Sequence, residues 1–246
     1  MILRKSAAVA ALCLCLSAAA RSQSPQSSPQ PSPSPAAQPS PQSSPGVAPS
    51  KGDYKALLER AKKGDRTLDF GEMRAAFYET DDYQPQAPMM SYRQLWGALA
   101  QGNYAEAIKI ADAVLEKNFV EVNAHMVAHV AHRETGNAER AAFHRFMADG
   151  LLDSIKKTGD GKSVETAFDV ISINEEYALF RAMGLQPVKQ SLVERKGHSY
   201  DAIVTVDPRM RAEATYYFRV DKPLNWTGPK KNPGMILLPP SGKRHT

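Results

Sequence analysis

The first half of the chain shows apolar residues at the spacing of amphipathic helices. The stretch 53–61 has its apolar side chains on one helical face, and Gly64 marks the end of that helix. Phe70, Met73 and Phe77 align in the same way and predict a second, shorter helix. The domain is therefore expected to open with two helices.

Two segments 34 residues apart repeat each other, since GNYAEA at 102–107 returns as GNAERA at 136–141. This offset is the period of tetratricopeptide-type helical hairpins. Small residues such as Ala107 and Ala141 occupy positions where paired helices need close packing. The pattern predicts four helices, at about 91–100, 104–117, 121–134 and 138–156. Further helices on either side are expected to cap the two copies.

The pattern changes after these helices. Residues 159–161 (GDG) predict a turn, and a helix is expected from about Ser163 to Met183, with Ser163 as its N-cap. The runs 200–206 and 214–220 are rich in β-branched and aromatic residues, which predicts a hairpin. A third strand at 235–238 would complete a small sheet.

These elements together predict an α+β fold that is mainly α. Tetratricopeptide-like helical hairpins are followed by a small C-terminal antiparallel β-hairpin or sheet. The expected organisation is a signal peptide at 1–20, a disordered Pro/Ser/Gln-rich linker at 21–50, a folded domain at 51–221 and a basic Pro/Gly-rich tail at 222–246.

The N-terminal segment has the order of an export signal: Arg4 and Lys5, an apolar run at 7–16, and small residues at 17–20. The apolar run is too short to cross a bilayer, which takes about 20 residues. We therefore expect cleavage after Ala20, a periplasmic or secreted protein, and no stable membrane insertion.

Both cysteines, Cys13 and Cys15, lie inside this segment. A lipid-modified cysteine normally follows a small residue, whereas Leu12 and Leu14 precede these two. We therefore interpret both cysteines as apolar residues of the signal segment and not as lipid-attachment sites. Cleavage would leave a chain with no thiol, which excludes disulfides, cysteine-ligated zinc and thiol nucleophiles.

Charge is unevenly distributed along the chain. Residues 51–221 carry 23 Lys and Arg against 26 Asp and Glu, while residues 222–246 carry five basic residues and no acid. Five charges spread among prolines and glycines lack the density of a nucleic-acid-binding patch, so no nucleic-acid partner is expected. The sequence leaves the oligomeric state open.

Three histidines, His125, His129 and His132, fall within an arc of about 60° on one predicted helix, and Glu121 lies one turn earlier. This spacing is typical of metal ligands, so the four residues form a candidate divalent-metal site. The alternative is that these histidines border the apolar stripe of the helix and are half-exposed. No cofactor is expected otherwise.

The known catalytic motifs point to no further candidate site in this sequence. Glu175 and Glu176 are adjacent and point about 100° apart on a helix, so a solvated helix face is the default interpretation. No Gly-x-Ser-x-Gly nucleophile motif is present in the sequence.

Short motifs spread over residues 53–221 carry a resemblance to a known family. They are Gly64-Asp65, Asp69-Phe70, Ala124-His125, His144, Gly150-Leu151-Leu152, Gly159-Asp160-Gly161, Val170-Ile171-Ser172, Glu175-Glu176-Tyr177, Ser199-Tyr200-Asp201 and Tyr217-Phe218. Together they resemble domain-of-unknown-function family 4919, a family of secreted bacterial proteins. The resemblance implies an envelope or secreted location and one continuous domain, and it brings no established activity.

The resemblance also reorders the candidate residues. His125 and His144 fall on the family's pattern, whereas His129 and His132 do not. The candidate functional cluster becomes His125, His144, Asp160 and Glu176.

Two functions follow as hypotheses. The first is a non-catalytic envelope protein that binds a peptide or protein partner through its helical-repeat surfaces. The alternative is a hydrolase or metal-dependent enzyme with a site around His125 and His144.

Overall fold

A computed structural model describes residues 53–85 and 89–228 of the chain. The eight helices in these ranges are α1 (Asp53–Lys62), α2 (Phe70–Tyr78), α3 (Met89–Ala100), α4 (Tyr104–Lys117), α5 (Val122–Glu134), α6 (Ala138–Lys156), α7 (Ile173–Met183) and α8 (Asp221–Leu224). The strands are β1 (Phe168–Asp169), β2 (Gln186–Arg195), β3 (His198–Val206) and β4 (Glu213–Arg219). The predicted class, α+β and mainly α, is confirmed.

The repeated Gly-Asn pair sets the boundaries of the central helices. Gly102 and Gly136 have φ values of +70° and +79°, which lets the chain leave one helix, and the next residue caps the following helix. Asn103 accepts a hydrogen bond from the amide of Glu106, and Asn137 accepts one from the amide of Arg140. Local chemistry alone thus places α3 to α6 almost where the sequence predicts them.

Small residues let α3, α4 and α5 pack closely. Ala107, Ala111, Ala128 and Ala131 are all fully buried in a core shared by these three helices. A second core joins α1, α2, α6, α7 and the sheet around large side chains. Phe119 packs against both cores and connects them.

The segment 163–172 is not helical, so the predicted helix from Ser163 to Met183 is wrong over its first half. The chain runs through turns and the short strand β1, and α7 begins only at Ile173. Phe168 pairs in parallel with Phe218, and Tyr217 donates a backbone hydrogen bond to Gly161. Val170 and Ile171, two of the apolar residues that suggested a helix, are instead buried from a non-helical backbone.

The C-terminal sheet has four strands in the order β1-β4-β3-β2. Strands β3 and β4 are the predicted hairpin, whereas β2 was not predicted, because nearly all its residues are exposed and their pattern lacks apolar alternation. It pairs antiparallel with β3 as an edge strand. The predicted strand at 235–238, the signal peptide, most of the linker and most of the tail lie outside the described residues.

In the described part of the chain, none of the helices combines the length and apolar character needed to cross a membrane.

Candidate functional site

Two histidines meet where α5 packs against α6. The Nδ1 atoms of His125 and His144 are 3.0 Å apart, and the side chains are 0% and 1% exposed. Burial lowers the pKa of His125 to about 4 and that of His144 to about 3. Both imidazoles are therefore neutral at pH 7.

The hydrogen bonds fix which nitrogen carries each proton. The Nε2 atom of His125 lies 2.9 Å from the carbonyl oxygen of Phe119, which can only accept, so His125 is protonated at Nε2. Its Nδ1 is then an acceptor, and His144 must donate from its own Nδ1. Because the neutral ring of His144 carries its proton on Nδ1, its Nε2 has a lone pair. This buried nitrogen has no hydrogen-bond partner.

The other two histidines of α5 have separate environments. His132 stacks on His144 with ring centroids 5.4 Å apart and planes 11° from parallel, so the in-plane lone pairs of the two rings do not converge on one point. His129 donates from Nδ1 to the carbonyl of Ala141. The alternative interpretation placed all three histidines of α5 half-exposed at the border of its apolar stripe. This is wrong for His125 and His132, which are buried.

The four residues of the predicted metal site are not brought to one point. Glu121 is the N-cap of α5, bound by Asn123, and it also accepts a hydrogen bond from the hydroxyl of Tyr92. Both ring nitrogens of His125 are engaged as described above. Among the described residues, no group of three or more His, Cys, Asp or Glu side chains has an arrangement that could hold a metal ion. Helical spacing alone placed these side chains on one face without making them converge.

The second predicted cluster is divided between distant contacts. Only His125 and His144 meet, while Asp160 is exposed and ties its own loop by accepting from Lys162 and Thr166. Glu176 is fully buried beside Asp201 of β3. No hydrogen bond or ion pair within the described ranges links Asp160 or Glu176 to either histidine.

Glu176 and Asp201 form a buried carboxyl pair. Neither oxygen of Glu176 has a hydrogen-bond partner, and the carboxyl group of Asp201 lies beside it. Burial, reinforced by the charge of Asp201, raises the pKa of Glu176 to about 9. Gln190 donates to the other side of Asp201 at 2.7 Å. Glu176 is therefore protonated at neutral pH.

Sequence reasoning missed an ion pair in the second core. Arg74 of α2 donates two hydrogen bonds to Glu175, at 2.8 and 2.7 Å, and both side chains are buried. The solvated face expected for Glu175 and Glu176 is therefore wrong. The available signal was an arginine on the apolar side of α2, next to Met73 and Phe77.

A groove runs along α4 and ends near His144. A cavity of about 720 Å³ lies between α4, α3 and the loop after α2, and a second of about 400 Å³ lies between α4, α1 and α6. They share Asp82, Glu116 and Lys117 as lining residues, and His144 lines the second. A third cavity of about 550 Å³ extends the groove toward the N-terminal end of α4 and shares Gln94 and Ile110 with the first.

The smaller cavity beside His144 has an aromatic wall with charges at its edge. Tyr54, Phe119 and Phe143 line it. Lys62 lies over the ring of Phe119, and Arg140 lies over the ring of Phe143. Such a surface can contact apolar and charged groups of a ligand at the same time.

Fold and site together define a mainly helical α+β domain with a mixed four-stranded sheet and a groove along α4. The model of the family described as Domain of unknown function (DUF4919) matches residues 48–227, and the chain belongs to that family. Neither the curated proteins nor the solved structures give a match.

Proposed function

We propose that this protein is exported and binds a peptide or protein partner in the groove along α4, without catalysing a reaction. The observation that carries the proposal is the continuity of the three cavities, which share lining residues from one end of α4 to the other. A groove of this length suits an extended chain better than a compact small molecule. Tetratricopeptide-like packing of α3 to α6 would supply the concave surface.

The lining of the groove supports a peptide as the ligand. Phe77, Tyr92 and Ile110 offer apolar contact, and Lys109 and Glu116 offer charges of both signs. Binding sites on proteins combine apolar surface with a few polar groups that fix orientation. The export of the protein is proposed on the N-terminal sequence pattern alone.

Two substitutions on the same helix test the proposal. Ala113 is exposed and lines the cavity of about 720 Å³, whereas Ala105 is exposed on α4 outside all three cavities of the groove. Peptides selected from a random display library on the wild-type protein should bind Ala113→Trp at least tenfold more weakly, because the indole fills the groove. Ala105→Trp should bind them as the wild type does. If selection enriches no peptide, or if both variants bind equally well, the groove is not the binding site.

A second candidate function, hydrolysis with His144 as general base, is favoured by the free lone pair on Nε2 of His144. The hydrogen bonds from His125 to the carbonyl of Phe119 and from His144 to His125 keep the proton of His144 on Nδ1. Hydrolysis of a panel of ester and amide substrates should then be lost in His144→Phe and kept in His129→Phe. Equal rates in these two variants would remove the hydrolase from consideration.

A further inference from the structure

A separate cavity of about 380 Å³ lies on the sheet, away from the residues that line the groove. One side is the loop from Thr158 to Asp169, and the other is formed by the β2–β3 turn together with β3 and β4. Basic and hydroxyl side chains line it from three places: Arg195 and Lys196 at the turn, His198 and Tyr200 on β3, and Arg219 on β4. Positive groups therefore approach the cavity from several directions.

The loop side of the cavity is held in place by close packing. A Cβ atom on Gly159 would lie 2.2 Å from the carbonyl oxygen of Thr166, and one on Gly161 would lie 2.3 Å from the ring of Phe168. Asp160 accepts hydrogen bonds from the hydroxyl of Thr166 and the amide of Lys162. The cavity is therefore preformed.

The two carboxylates in the cavity are already compensated. Asp169 is bound by Lys222 at 2.6 Å as well as by Arg219 at 3.1 Å. Because Lys222 also neutralises the carboxylate, Arg219 can still donate hydrogen bonds to a ligand. Glu165 pairs with Arg195 at 3.0 Å, with both side chains more than half exposed. Exposed ion pairs of this kind are weak, so a multiply charged anion can replace the carboxylate at little cost.

Lys196 has a backbone conformation that lysine rarely adopts. Its φ is +51°, and Gly197 follows with +79°, as in the two-residue turn that favours Asn or Gly at the first position. This left-handed conformation is unfavourable for a lysine, because its Cβ atom comes close to the following carbonyl oxygen. No ion pair holds its ammonium group among the described residues. Its charge adds to that of Arg195 beside the carboxylate of Glu165.

We propose that this cavity binds a tetrahedral oxyanion, a phosphate or sulfate group, through Arg195, Lys196 and Arg219, with the hydroxyl of Tyr200 as a further donor. Guanidinium groups bind such oxygens with two parallel hydrogen bonds, and a lysine adds a point charge. An anion with three or four oxygens suits donors that approach from three elements better than a planar carboxylate does. The site is independent of the groove along α4.

Lys196→Asn tests the proposal without weakening the fold. Asparagine removes the charge and suits the positive φ better than lysine, so the melting temperature should stay the same or rise. Calorimetric titration of the full chain with inorganic phosphate at low ionic strength should show saturable binding. In Lys196→Asn this binding should be about tenfold weaker, as expected for one charged hydrogen bond.

Arg211→Asn is the matched control. Arg211 also has a positive φ, +54°, and is exposed, but it lies in the β3–β4 loop and does not line the cavity. It should bind phosphate as the wild type does, and so should Ala113→Trp in the groove. Equal weakening by Arg211→Asn would show a general charge effect and overturn the proposal.

Three probes distinguish the source of the anion. Inorganic phosphate and phosphoserine represent soluble ligands, and phosphatidylcholine vesicles with or without phosphatidic acid represent a lipid head group. Binding of any of these that depends on Lys196 supports the site and identifies its source. If none of the three binds saturably, the cavity is not an anion site.

Discussion

Arg74 and Glu175 are joined by two hydrogen bonds inside the protein, although 101 residues separate them in the chain. The pair connects α2 to the first turn of α7, and Glu175 also accepts from the backbone amide of Ile171 at 2.9 Å. The geometry is the parallel two-bond arrangement that is strongest for arginine and carboxylate. This contact holds the N-terminal helices against the segment that leads into the sheet.

Removal of one partner of this ion pair should destabilise the protein strongly. Arg74→Met leaves the carboxylate of Glu175 buried without a counterion, which typically costs about 3–5 kcal/mol. Urea denaturation should show this loss in the free energy of unfolding. The double variant Arg74→Met/Glu175→Gln should regain part of it, because a neutral amide carries no buried charge. A double variant no more stable than Arg74→Met alone would contradict this account.

The carboxyl pair of Glu176 and Asp201 should make stability depend on pH. The folded-state pKa of Glu176, about 9, lies above the unfolded value of 4.5, so the folded state holds more protons between these pH values. Its contribution is complete below about pH 4.5 and is lost as the pH rises toward 9, by up to about 1.4 kcal/mol per pH unit.

Glu176→Gln isolates that dependence, because glutamine keeps the shape and can donate to Asp201 without titrating. Chemical denaturation at several pH values from 5 to 9 should show the variant gaining stability over the wild type as the pH rises. Parallel stability curves for variant and wild type would show that Glu176 does not titrate in this range.

The histidine pair should give the opposite dependence. The pKa values of His125 and His144, about 4 and 3, lie below the unfolded value of 6.5, so the unfolded state binds more protons. Stability from the neutral pair is complete above about pH 6.5 and is lost as the pH falls toward 4. His144→Phe should reduce this loss on acidification, although it leaves Nδ1 of His125 without a donor. An unchanged loss of stability in His144→Phe between pH 6.5 and pH 4 would contradict this account.

Gly161 should be far less tolerant of substitution than Gly184. Both have a φ of about +70°, but a Cβ on Gly161 would meet the ring of Phe168, while Gly184 has open space around it. Gly184→Ala should cost only the backbone strain, about 1 kcal/mol, and Gly161→Ala should cost about 2 kcal/mol more. Thermal unfolding of the two variants measures the difference. Equal costs would show that the loop moves freely away from the sheet.

Much of the fold could be predicted from local sequence, and the candidate site could not. The Gly-Asn pairs at 102–103 and 136–137 carry both the end of one helix and the cap of the next, so the helix boundaries are visible in the sequence. The strand β2 is not visible, because an exposed edge strand needs no apolar alternation. Its place depends on hydrogen bonds to β3.

The sequence by itself determined the helices α3 to α6 and the β3–β4 hairpin, because caps, turns and the apolar period act over a few residues. His125 and His144 became candidates together only through the family resemblance. Only the tertiary structure decided that these two histidines meet while Asp160 and Glu176 do not. It also decided that residues 163–172 are not helical and that Glu175 and Glu176 are buried. These outcomes depend on contacts between residues far apart in the chain, such as Arg74 with Glu175, and local spacing carries no information about them.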